Sequence, residues 1–411
     1  MWDRESARTR ISSFKAYIDR AHQASGDSFV LQMTRPAQRR LQGRFQGPFQ
    51  ALIALWLVAI TLALAAAAGP ARASPYIVVD ANTERVLAAE EPFKRWYPAS
   101  LAKLMTAYLV FEDMKAGRLD PQAAITFSAA AANEPASKMY FAPGTRVTVD
   151  TALKMMLVHS ANDAARAVAE HAIGGREAFV KRMNETAKAL GMTDTHFVNA
   201  NGMNSMSNPQ PGQYTTARDM AVLAIAIEKT FPEYLYYFTI PGIASDSGKY
   251  RNTNLLIGNF DGATGMKTGF VCASGYNQVS FAKRNGREVV AVAFGAPSVP
   301  ARAEKAAELL QTGLTTGDRD GPRLDSYLPP AAPDRPVADV TSQICSAEAA
   351  ENRVILRDDD GNLMFSSPYL KPLVKEYPTV DAYRLPNDTE MAASSLENLS
   401  SVPLPYARPV Q

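Results

Sequence analysis

The sequence predicts an α+β fold, in which an antiparallel sheet is flanked by helices and accompanied by a mostly helical subdomain. Three features support this prediction: a β-rich run with its return at residues 76–89, a block of helical segments over residues 98–228, and two consecutive strands over residues 276–294. Strands that follow each other through short turns pair antiparallel, and the intervening helices cover the sheet. The 411 residues, 46% hydrophobic and 20% charged, are typical of a globular chain with more than one domain.

The first predicted elements are a hairpin and a buried helix. Tyr76–Asp80 and Arg85–Ala89 are β-rich and are separated by turn residues, so they are expected to pair. From Pro98 to Lys115 the composition is helical, and Gly117 is a suitable end. Because apolar residues lie on nearly every face of this helix, it is expected to be buried.

The middle of the chain is predicted to combine short strands with helices. Residues 125–127 and 146–149 are short extended runs. The predicted helices are Thr151–His159, Asp163–Ala172, Phe179–Leu190, Thr216–Glu228 and Ala301–Leu310. Before the last of them, the strands Tyr276–Ala282 and Arg287–Phe294 flank Asn285-Gly286, which is a strong signal for a β-hairpin.

The composition changes after the last predicted helix. Residues 74–317 therefore form one predicted domain, and residues 318–340, rich in Pro, Asp and Arg, form a linker. Residues 341–411 form a short C-terminal region. Within it, Asp358–Gly361 predicts the turn of a hairpin. The last residues, roughly 35 in number, show little periodicity and are expected to be poorly ordered.

Residues 1–73 have the pattern of an N-terminal extension with an export signal. Residues 51–68 are eighteen uncharged residues, preceded by four arginines and followed by the small-x-small sequence Ala71-Arg72-Ala73. This order is typical of a secretory signal peptide, so cleavage after Ala73 and a periplasmic or other extracytoplasmic location are expected. The alternative is an uncleaved membrane anchor, because eighteen apolar residues can just span a bilayer. Met33, shortly before the basic stretch, is an alternative start to Met1.

Charge and the rarer residue types exclude several classes of protein. The net charge is +2, but residues 1–45 hold nine Lys or Arg and four Asp or Glu, so the basic excess lies outside the predicted domain and does not indicate nucleic-acid binding. The four histidines lack the short spacing of a zinc helix, so neither a metal nor another cofactor is expected. Cys272 and Cys345 either form one disulfide after export or remain two thiols, and the sequence leaves both alternatives open.

A serine and a lysine open the predicted buried helix. In Ser100-Leu101-Ala102-Lys103 the two polar side chains share one helix face, and Ser100 lies near the free N–H groups of the helix start. Burial disfavours the ammonium form of Lys103, so a neutral amine can serve as the base for the serine. The same spacing recurs at Ser12–Lys15 and Ser280–Lys283, but only the Ser100 match opens a buried helix.

Two further motifs follow in the chain. Ser160-Ala161-Asn162 lies between two predicted helices, where it either presents a hydroxyl and an amide to a site or caps a helix. Lys267-Thr268-Gly269 either offers a cation and a hydroxyl to a carboxylate, with Gly269 permitting close approach of a substrate, or is a solvated strand end. The order Ser-x-x-Lys, Ser-x-Asn, Lys-Thr-Gly occurs in β-lactamases and penicillin-binding proteins.

On these motifs the chain resembles the low-molecular-weight penicillin-binding proteins, the serine D-alanyl-D-alanine carboxypeptidases. The resemblance covers about residues 74–312 and includes Tyr97–Ala107, Ser160–Ala165, Tyr214–Met220 and Asp261–Gly269. It implies a serine β-lactamase/DD-peptidase-like fold with residues 74–317 as the catalytic domain. The chain departs from the family at Asn199–Met203, and residues 341–411 clearly match neither the family's all-β C-terminal domain nor its amphipathic anchoring helix.

The resemblance also implies a role for each motif residue. Ser100 attacks the peptide carbonyl between two terminal D-alanines, Lys103 takes its proton, and Ser160 relays a proton to the leaving amine. Asn162 holds the substrate backbone, while Lys267 and Thr268 bind the terminal carboxylate. The N–H groups of Ser100 and Phe270 form the oxyanion hole. The expected partners are peptidoglycan stem peptides ending in D-Ala-D-Ala, and β-lactam antibiotics, which acylate the same serine.

The sequence also offers alternatives for two residues and for the function. Arg251 is a candidate second contact for the carboxylate, and His159, beside Ser160, is expected to be structural because Lys103 already supplies a base. A D,D-endopeptidase of the same family would use the same catalytic groups, so the sequence does not separate it from a carboxypeptidase. A β-lactamase is less consistent with the chain, which contains no Glu-x-x-Leu-Asn loop. The intact motifs disfavour a non-catalytic peptidoglycan-binding scaffold.

Overall fold

The computed structural model describes residues 74–172, 174–203, 210–317, 320–330, 335–353 and 355–387. In chain order the strands are β1 (Tyr76–Asp80), β2 (Arg85–Glu90), β3 (Ala124–Thr126), β4 (Arg146–Thr148), β5 (Gly242–Ser245), β6 (Gly248–Arg251), β7 (Ala263–Val271), β8 (Gly275–Arg284), β9 (Arg287–Ala296) and β10 (Val380–Asp381). The helices are α1 (Lys103–Lys115), α2 (Ala129–Ala132), α3 (Val149–Val158), α4 (Asn162–His171), α5 (Gly175–Ala189), α6 (Ala217–Thr230), α7 (Tyr236–Thr239), α8 (Val299–Thr315), α9 (Thr341–Ile344) and α10 (Ala347–Glu351). Short 3-10 helices occupy Ala99–Ala102 and Pro232–Tyr234.

A five-stranded antiparallel sheet with the order β2-β1-β9-β8-β7 organises the described part of the chain. The first hairpin closes at residues 81–84, and β9 returns to pair with β1 over Tyr76 to Asp80. Between β8 and β9, Asn285 and Gly286 have φ angles of 53° and 74°. Two successive positive φ angles are what a two-residue primed turn requires, so the predicted hairpin is confirmed.

Alternating side chains fill an apolar core on each face of this sheet. Ile77 and Val79 of β1 belong to the core shared with the helices on one face, whereas Val78 between them belongs to the core on the other face, under α8. Helix α1 is buried on nearly all sides, as predicted. Because α1 starts with Lys103, the first motif lies inside the protein.

The structure divides the predicted helix over residues 98–115 into two parts. Ala99–Ala102 form a 3-10 helix, and the α-helix begins only at Lys103. Ala99 has a φ of 48°, outside the right-handed helical region, so a regular α-helix does not begin before it. The other predicted helices and strands before residue 316 are present, most of them with shifted ends. The strand β7 was anticipated only as a strand edge at Lys267–Gly269, and the short elements α2, α7, β5 and β6 were not predicted.

The described residues of the predicted linker run along the surface of the preceding domain. The N–H of Leu324 donates to Glu84 O at 2.8 Å, and the N–H of Ala338 donates to Arg95 O at 3.0 Å. These contacts could not be predicted from the sequence, because composition alone does not report which carbonyl groups a segment will meet.

The C-terminal region differs from its prediction in three respects. The expected hairpin at Asp358–Gly361 is reduced to a single bridge between Arg357 and Leu363. Helices α9 and α10 were not predicted. The described residues of the tail, expected to be poorly ordered, include β10, which pairs parallel with β5. Pairing with a distant strand gives this segment a position that its own sequence does not specify.

Cys272 and Cys345 form a disulfide, with their Cα atoms 5.6 Å apart. The bond joins the residue after β7 to the residue after α9, and it settles the alternative that the sequence left open.

The predicted export signal at residues 1–73, with the alternative start Met33, and residues 388–411 lie outside the described residues. Within the described ranges, no helix combines the length and apolarity needed to cross a bilayer.

Candidate active site

Ser100 and Lys103 are joined by a hydrogen bond at the start of the buried helix. Lys103 Nζ lies 2.8 Å from Ser100 Oγ. The same nitrogen lies 2.6 Å from Asn162 Oδ1 and 3.3 Å from Asn201 O. The first and second motifs, 59 residues apart in the chain, therefore meet at one lysine.

The surroundings of Lys103 favour a neutral amine. The side chain is fully buried, and this burial lowers the pKa of Lys103 to about 7, while the negative charges of Glu134 and Asp163 act in the opposite direction. An amine with a pKa near neutrality is available as a base at physiological pH. This is the condition that the motif required for activating Ser100.

Ser160 and Lys267 form a second buried serine–lysine pair. Lys267 Nζ on β7 donates to Ser160 Oγ at 2.8 Å. Ser160 has a φ of 66°, a conformation that costs a non-glycine residue roughly 1–3 kcal/mol and persists only where the surroundings hold it. Burial lowers the pKa of Lys267 well below its usual value, and the charges of Lys103 and Arg302 lower it further. The two lysines thus lie within electrostatic reach of each other.

Strand β7 approaches the turn of Ser100 so closely that any side chain at position 269 would force a shift. A Cβ atom on Gly269 would lie 2.9 Å from Pro98 O and 3.1 Å from Ser100 N. Gly202, on the other side, could not carry a Cβ either, because it would lie 1.8 Å from Ala99 O. Next to Gly269, the ring of Phe270 packs on Tyr276 with 4.2 Å between centroids.

A threonine and an arginine that the sequence analysis did not select complete this side of the site. Thr268 Oγ1 lies 2.9 Å from Thr253 Oγ1, and Arg302 Nη2 donates to Thr253 O at 2.8 Å. Burial lowers the pKa of Arg302 to about 10, so the guanidinium stays charged at neutral pH. Its Nε finds no acceptor within the part of the chain that the structure describes. Arg302 stands in no local motif, so its sequence context gave no signal.

With this geometry in place, comparison with known proteins identifies the family. The family model described as D-alanyl-D-alanine carboxypeptidase matches residues 63–298, more than half of the chain. The chain belongs to this family. The match confirms the resemblance stated from the motifs.

Individual relatives of the D-alanyl-D-alanine carboxypeptidase family agree with this assignment. The chain is 34% identical to the D-alanyl-D-alanine carboxypeptidase DacA of Haemophilus influenzae over 247 residues, which are 59% of this chain and 62% of the relative. It is 33% identical to DacD of Escherichia coli over 248 residues, 59% of this chain and 63% of the relative. The chain thus spans about three fifths of the length of these curated relatives.

Solved structures confirm the α+β, DD-peptidase-like fold. The D-alanyl-D-alanine carboxypeptidase DacD from Francisella tularensis superposes with a TM-score of 0.56 at 33% identity, covering 59% of this chain and 70% of that chain. Penicillin-Binding Protein D2 from Listeria monocytogenes, in its ampicillin-bound form, superposes with a TM-score of 0.51 at 29% identity, covering 59% of this chain and 96% of that chain.

The structure gives Arg251 partners in the C-terminal region. Its guanidinium donates to Val374 O and Lys375 O of the C-terminal region and stacks on the ring of Tyr377, 4.1 Å from the centroid. Arg302 is the arginine that lies near Lys267. A carboxylate contact by Arg251 stays a prediction, and its partners in the tail were not predicted from the sequence.

His159 packs as a neutral aromatic ring. The ring lies 4.1 Å from that of Tyr250, and burial together with the charge of Lys267 lowers the pKa of His159 to about 4. The hydroxyl of Ser160 accepts a hydrogen bond from Lys267. This agrees with the structural role expected for His159.

The competing Ser-x-x-Lys match at Ser280–Lys283 has a different environment. Ser280 Oγ accepts from Gln278 Nε2 at 2.9 Å within β8, and Lys283 forms ion pairs with Glu228 and Glu288. The other match, Ser12–Lys15, lies outside the described residues. Among the residues that the structure describes, no group of three or more His, Cys, Asp or Glu is arranged to hold a metal ion.

Proposed function

We propose that this protein is a serine D-alanyl-D-alanine carboxypeptidase that removes the terminal D-alanine from peptidoglycan stem peptides through an acyl-enzyme on Ser100. The observation that carries the proposal is that two buried serine–lysine pairs, Ser100–Lys103 and Ser160–Lys267, lie within electrostatic reach of each other, with Asn162 of the second motif bound to Lys103. The family match and the curated relatives support the substrate class.

Acylation begins with the attack of Ser100 Oγ on the carbonyl carbon of the penultimate D-alanine. The serine proton moves to the neutral amine of Lys103, and the oxyanion is held by the N–H groups of Ser100 and Phe270. Each oxyanion donor contributes roughly 3–4 kcal/mol in comparable enzymes. The peptide C–N bond then breaks, and the proton passes through Ser160 to the leaving nitrogen, which returns Lys103 to its neutral form.

Deacylation repeats these steps with water as the nucleophile. Water attacks the ester carbon and gives a proton to Lys103. The ester C–O bond breaks, and Ser100 Oγ regains a proton from Lys103. The products are the shortened peptide acid and free D-alanine, and the protein ends in its starting state.

The terminal carboxylate of the substrate fits the positive group formed by Lys267 and Arg302. Arg302 is charged at neutral pH, and an arriving carboxylate would favour the ammonium form of Lys267, whose pKa is lowered by burial. Thr268 supplies a hydroxyl beside them. Penicillins carry a carboxylate next to a reactive amide, so they are expected to acylate Ser100, and an ampicillin-bound relative supports this expectation.

The proposed substrate lies outside the cytoplasm, so we also propose export. Residues 51–73 support export through their signal-peptide pattern. An uncleaved signal segment would leave the enzyme attached to the membrane.

The test is D-alanine release from a peptide ending in D-Ala-D-Ala, with Ser100→Ala as the control. Release by the wild type and none by Ser100→Ala would support the proposal. Penicillin labelling of Ser100 without release would instead favour the D,D-endopeptidase alternative, which cleavage of a cross-linked peptide dimer would then reveal. Penicillin labelling retained by Ser100→Ala would overturn the assignment of the nucleophile.

A further inference from the structure

Glu134 is a largely buried carboxylate that belongs to none of the three motifs. It follows α2, and its side chain is 13% exposed. Its Oε1 accepts from Arg166 Nη1 at 2.8 Å, and its Oε2 accepts from Asn201 Nδ2 at 2.8 Å. Neither hydrogen bond is part of the local secondary structure, so their effect is to hold Arg166 and Asn201 against this side chain.

The partners of Lys103 restrict the direction of its amine. Asn162 Oδ1 and Asn201 O can only accept hydrogen bonds, so Lys103 Nζ must donate to both. The third tetrahedral position of the nitrogen faces Ser100 Oγ at 2.8 Å. In the neutral amine this position is the lone pair, which can receive the serine proton. The two acceptors therefore direct the base toward the nucleophile.

Both acceptors are tied to Glu134 or to the residue after it. Asn201 donates its side-chain N–H to Glu134, and Asn162 donates its side-chain N–H to Pro135 O at 2.7 Å. We propose that Glu134 is a positioning residue for the Ser100–Lys103 pair, which holds the two acceptors of Lys103 in place and supplies a negative charge near the amine. This inference rests on the proposed function, because it assigns Lys103 the role of base.

The charge of Glu134 is only partly neutralised. Arg166 is shared with Glu170, whose Oε1 accepts from Arg166 Nε at 2.7 Å, so two carboxylates face one guanidinium. The remaining charge agrees with the direction in which Glu134 acts on Lys103, opposing the effect of burial on its pKa. The other titratable groups around Lys103 are Asp163, whose pKa burial raises to about 6, and the two basic side chains Lys267 and His159.

The experiment measures the second-order rate of acylation by a fluorescent penicillin in the full-length protein as a function of pH. Glu134→Gln keeps the size of the side chain but removes its charge and one acceptor. We expect a plateau rate about tenfold lower, because the amine is less well directed. We also expect the acidic limb to move to lower pH, because loss of a nearby negative charge favours the neutral amine of Lys103.

Glu170→Gln is the matched control, because Glu170 binds the same arginine but contacts neither Asn201 nor Pro135. It should leave the plateau at its wild-type value and move the acidic limb less than Glu134→Gln does. A structural ion pair alone would make the two variants behave alike, and that result would overturn the inference. An unmoved acidic limb in Glu134→Gln would overturn it as well.

Glu134→Asp keeps the inference testable if Glu134→Gln fails to fold, which thermal unfolding would reveal. Aspartate retains the charge with a shorter reach, so the plateau should fall while the acidic limb stays at its wild-type pH. A wild-type plateau in Glu134→Asp would contradict the positioning role. If the wild type itself is not acylated, the proposed function fails and takes this inference with it, an outcome distinct from the failure of Glu134 alone.

Discussion

The groups around Ser100 and the C-terminal segment, residues 335–387, are held in place in different ways. Around Ser100, polar side chains such as Lys103, Asn162 and Lys267 are at most 1% exposed and bond to one another across long stretches of chain. In the C-terminal segment, large apolar side chains are exposed, with Ile355 at 47% and Val374 at 59%. The proposed catalytic groups are thus fixed by burial and mutual hydrogen bonds, whereas the C-terminal segment is fixed mainly by attachments to the rest of the described structure.

Two of these attachments join the segment to strands of the described structure. The disulfide Cys272–Cys345 fastens the segment to the end of β7, and β10 pairs with β5. The segment lies outside residues 63–298, which the family model matches. We therefore expect changes to the buried polar groups around Ser100 to alter the reaction. Changes to the C-terminal segment should alter local order with little effect on the reaction.

The largest effect on acylation should come from Lys103→Met, which tests the role of the buried polar groups around Ser100. Removing the base should lower penicillin acylation by about 10³-fold. Stability should fall by about 1–3 kcal/mol, because methionine leaves the buried oxygens of Asn162 and Asn201 without a donor. The control is Lys283→Met, at the competing motif, which should acylate normally but lose about 1 kcal/mol of stability through its pairs with Glu228 and Glu288. Equal acylation by the two variants would contradict the assignment.

The second largest effect should be a dependence of the acylation rate on pH. Because burial lowers the pKa of Lys103 to about 7, the neutral amine is lost as pH falls below this value. The acylation rate of the wild type should therefore fall about tenfold for each pH unit below 7 and level off above it. The measurement is the rate of penicillin acylation, with circular dichroism to show that the protein stays folded. A rate that does not change between pH 6 and pH 8 would argue against Lys103 as the base.

A smaller effect is expected from Gly269→Ala, which tests the close approach of β7 to Ser100. The added Cβ would lie 2.9 Å from Pro98 O, so the strand or the turn must shift. We expect a loss of roughly 1–3 kcal/mol of stability and about tenfold slower acylation. Gly317→Ala, where nothing lies within 4 Å of the added Cβ, should change neither property. Thermal unfolding and penicillin labelling measure the two effects, and an unaffected Gly269→Ala protein would show that the approach is not tight.

The smallest effect on activity should come from replacing both Cys272 and Cys345 by serine. The disulfide closes a loop across 73 residues, and loops of this size contribute about 4 kcal/mol in the chain-entropy model. Since the segment can detach locally, we expect faster proteolysis within residues 341–387, with acylation changed less than about threefold. Wild-type protein treated with a reductant should behave in the same way. Loss of acylation equal to that of Lys103→Met would show that the segment is part of the catalytic machinery.

Much of the fold and of the site is determined by sequence over short distances. β-rich composition predicted β1, β8 and β9, and Asn285-Gly286 predicted the turn between the last two because both positions need positive φ. The three motifs selected Ser100, Lys103 and their partners, since each motif is a few residues long and its chemistry is local.

Only the tertiary structure decided the remaining features. The disulfide depends on two Cα atoms meeting at 5.6 Å, and the direction of Arg251 depends on carbonyl groups 123 and 124 residues away. Glu134 and Arg302 likewise could not be selected from the sequence, because their partners Asn201 and Thr253 lie far away in the chain. Propensity and periodicity describe how a residue relates to its neighbours in the chain, whereas burial, charge and hydrogen-bond partners are set by residues brought together from distant positions.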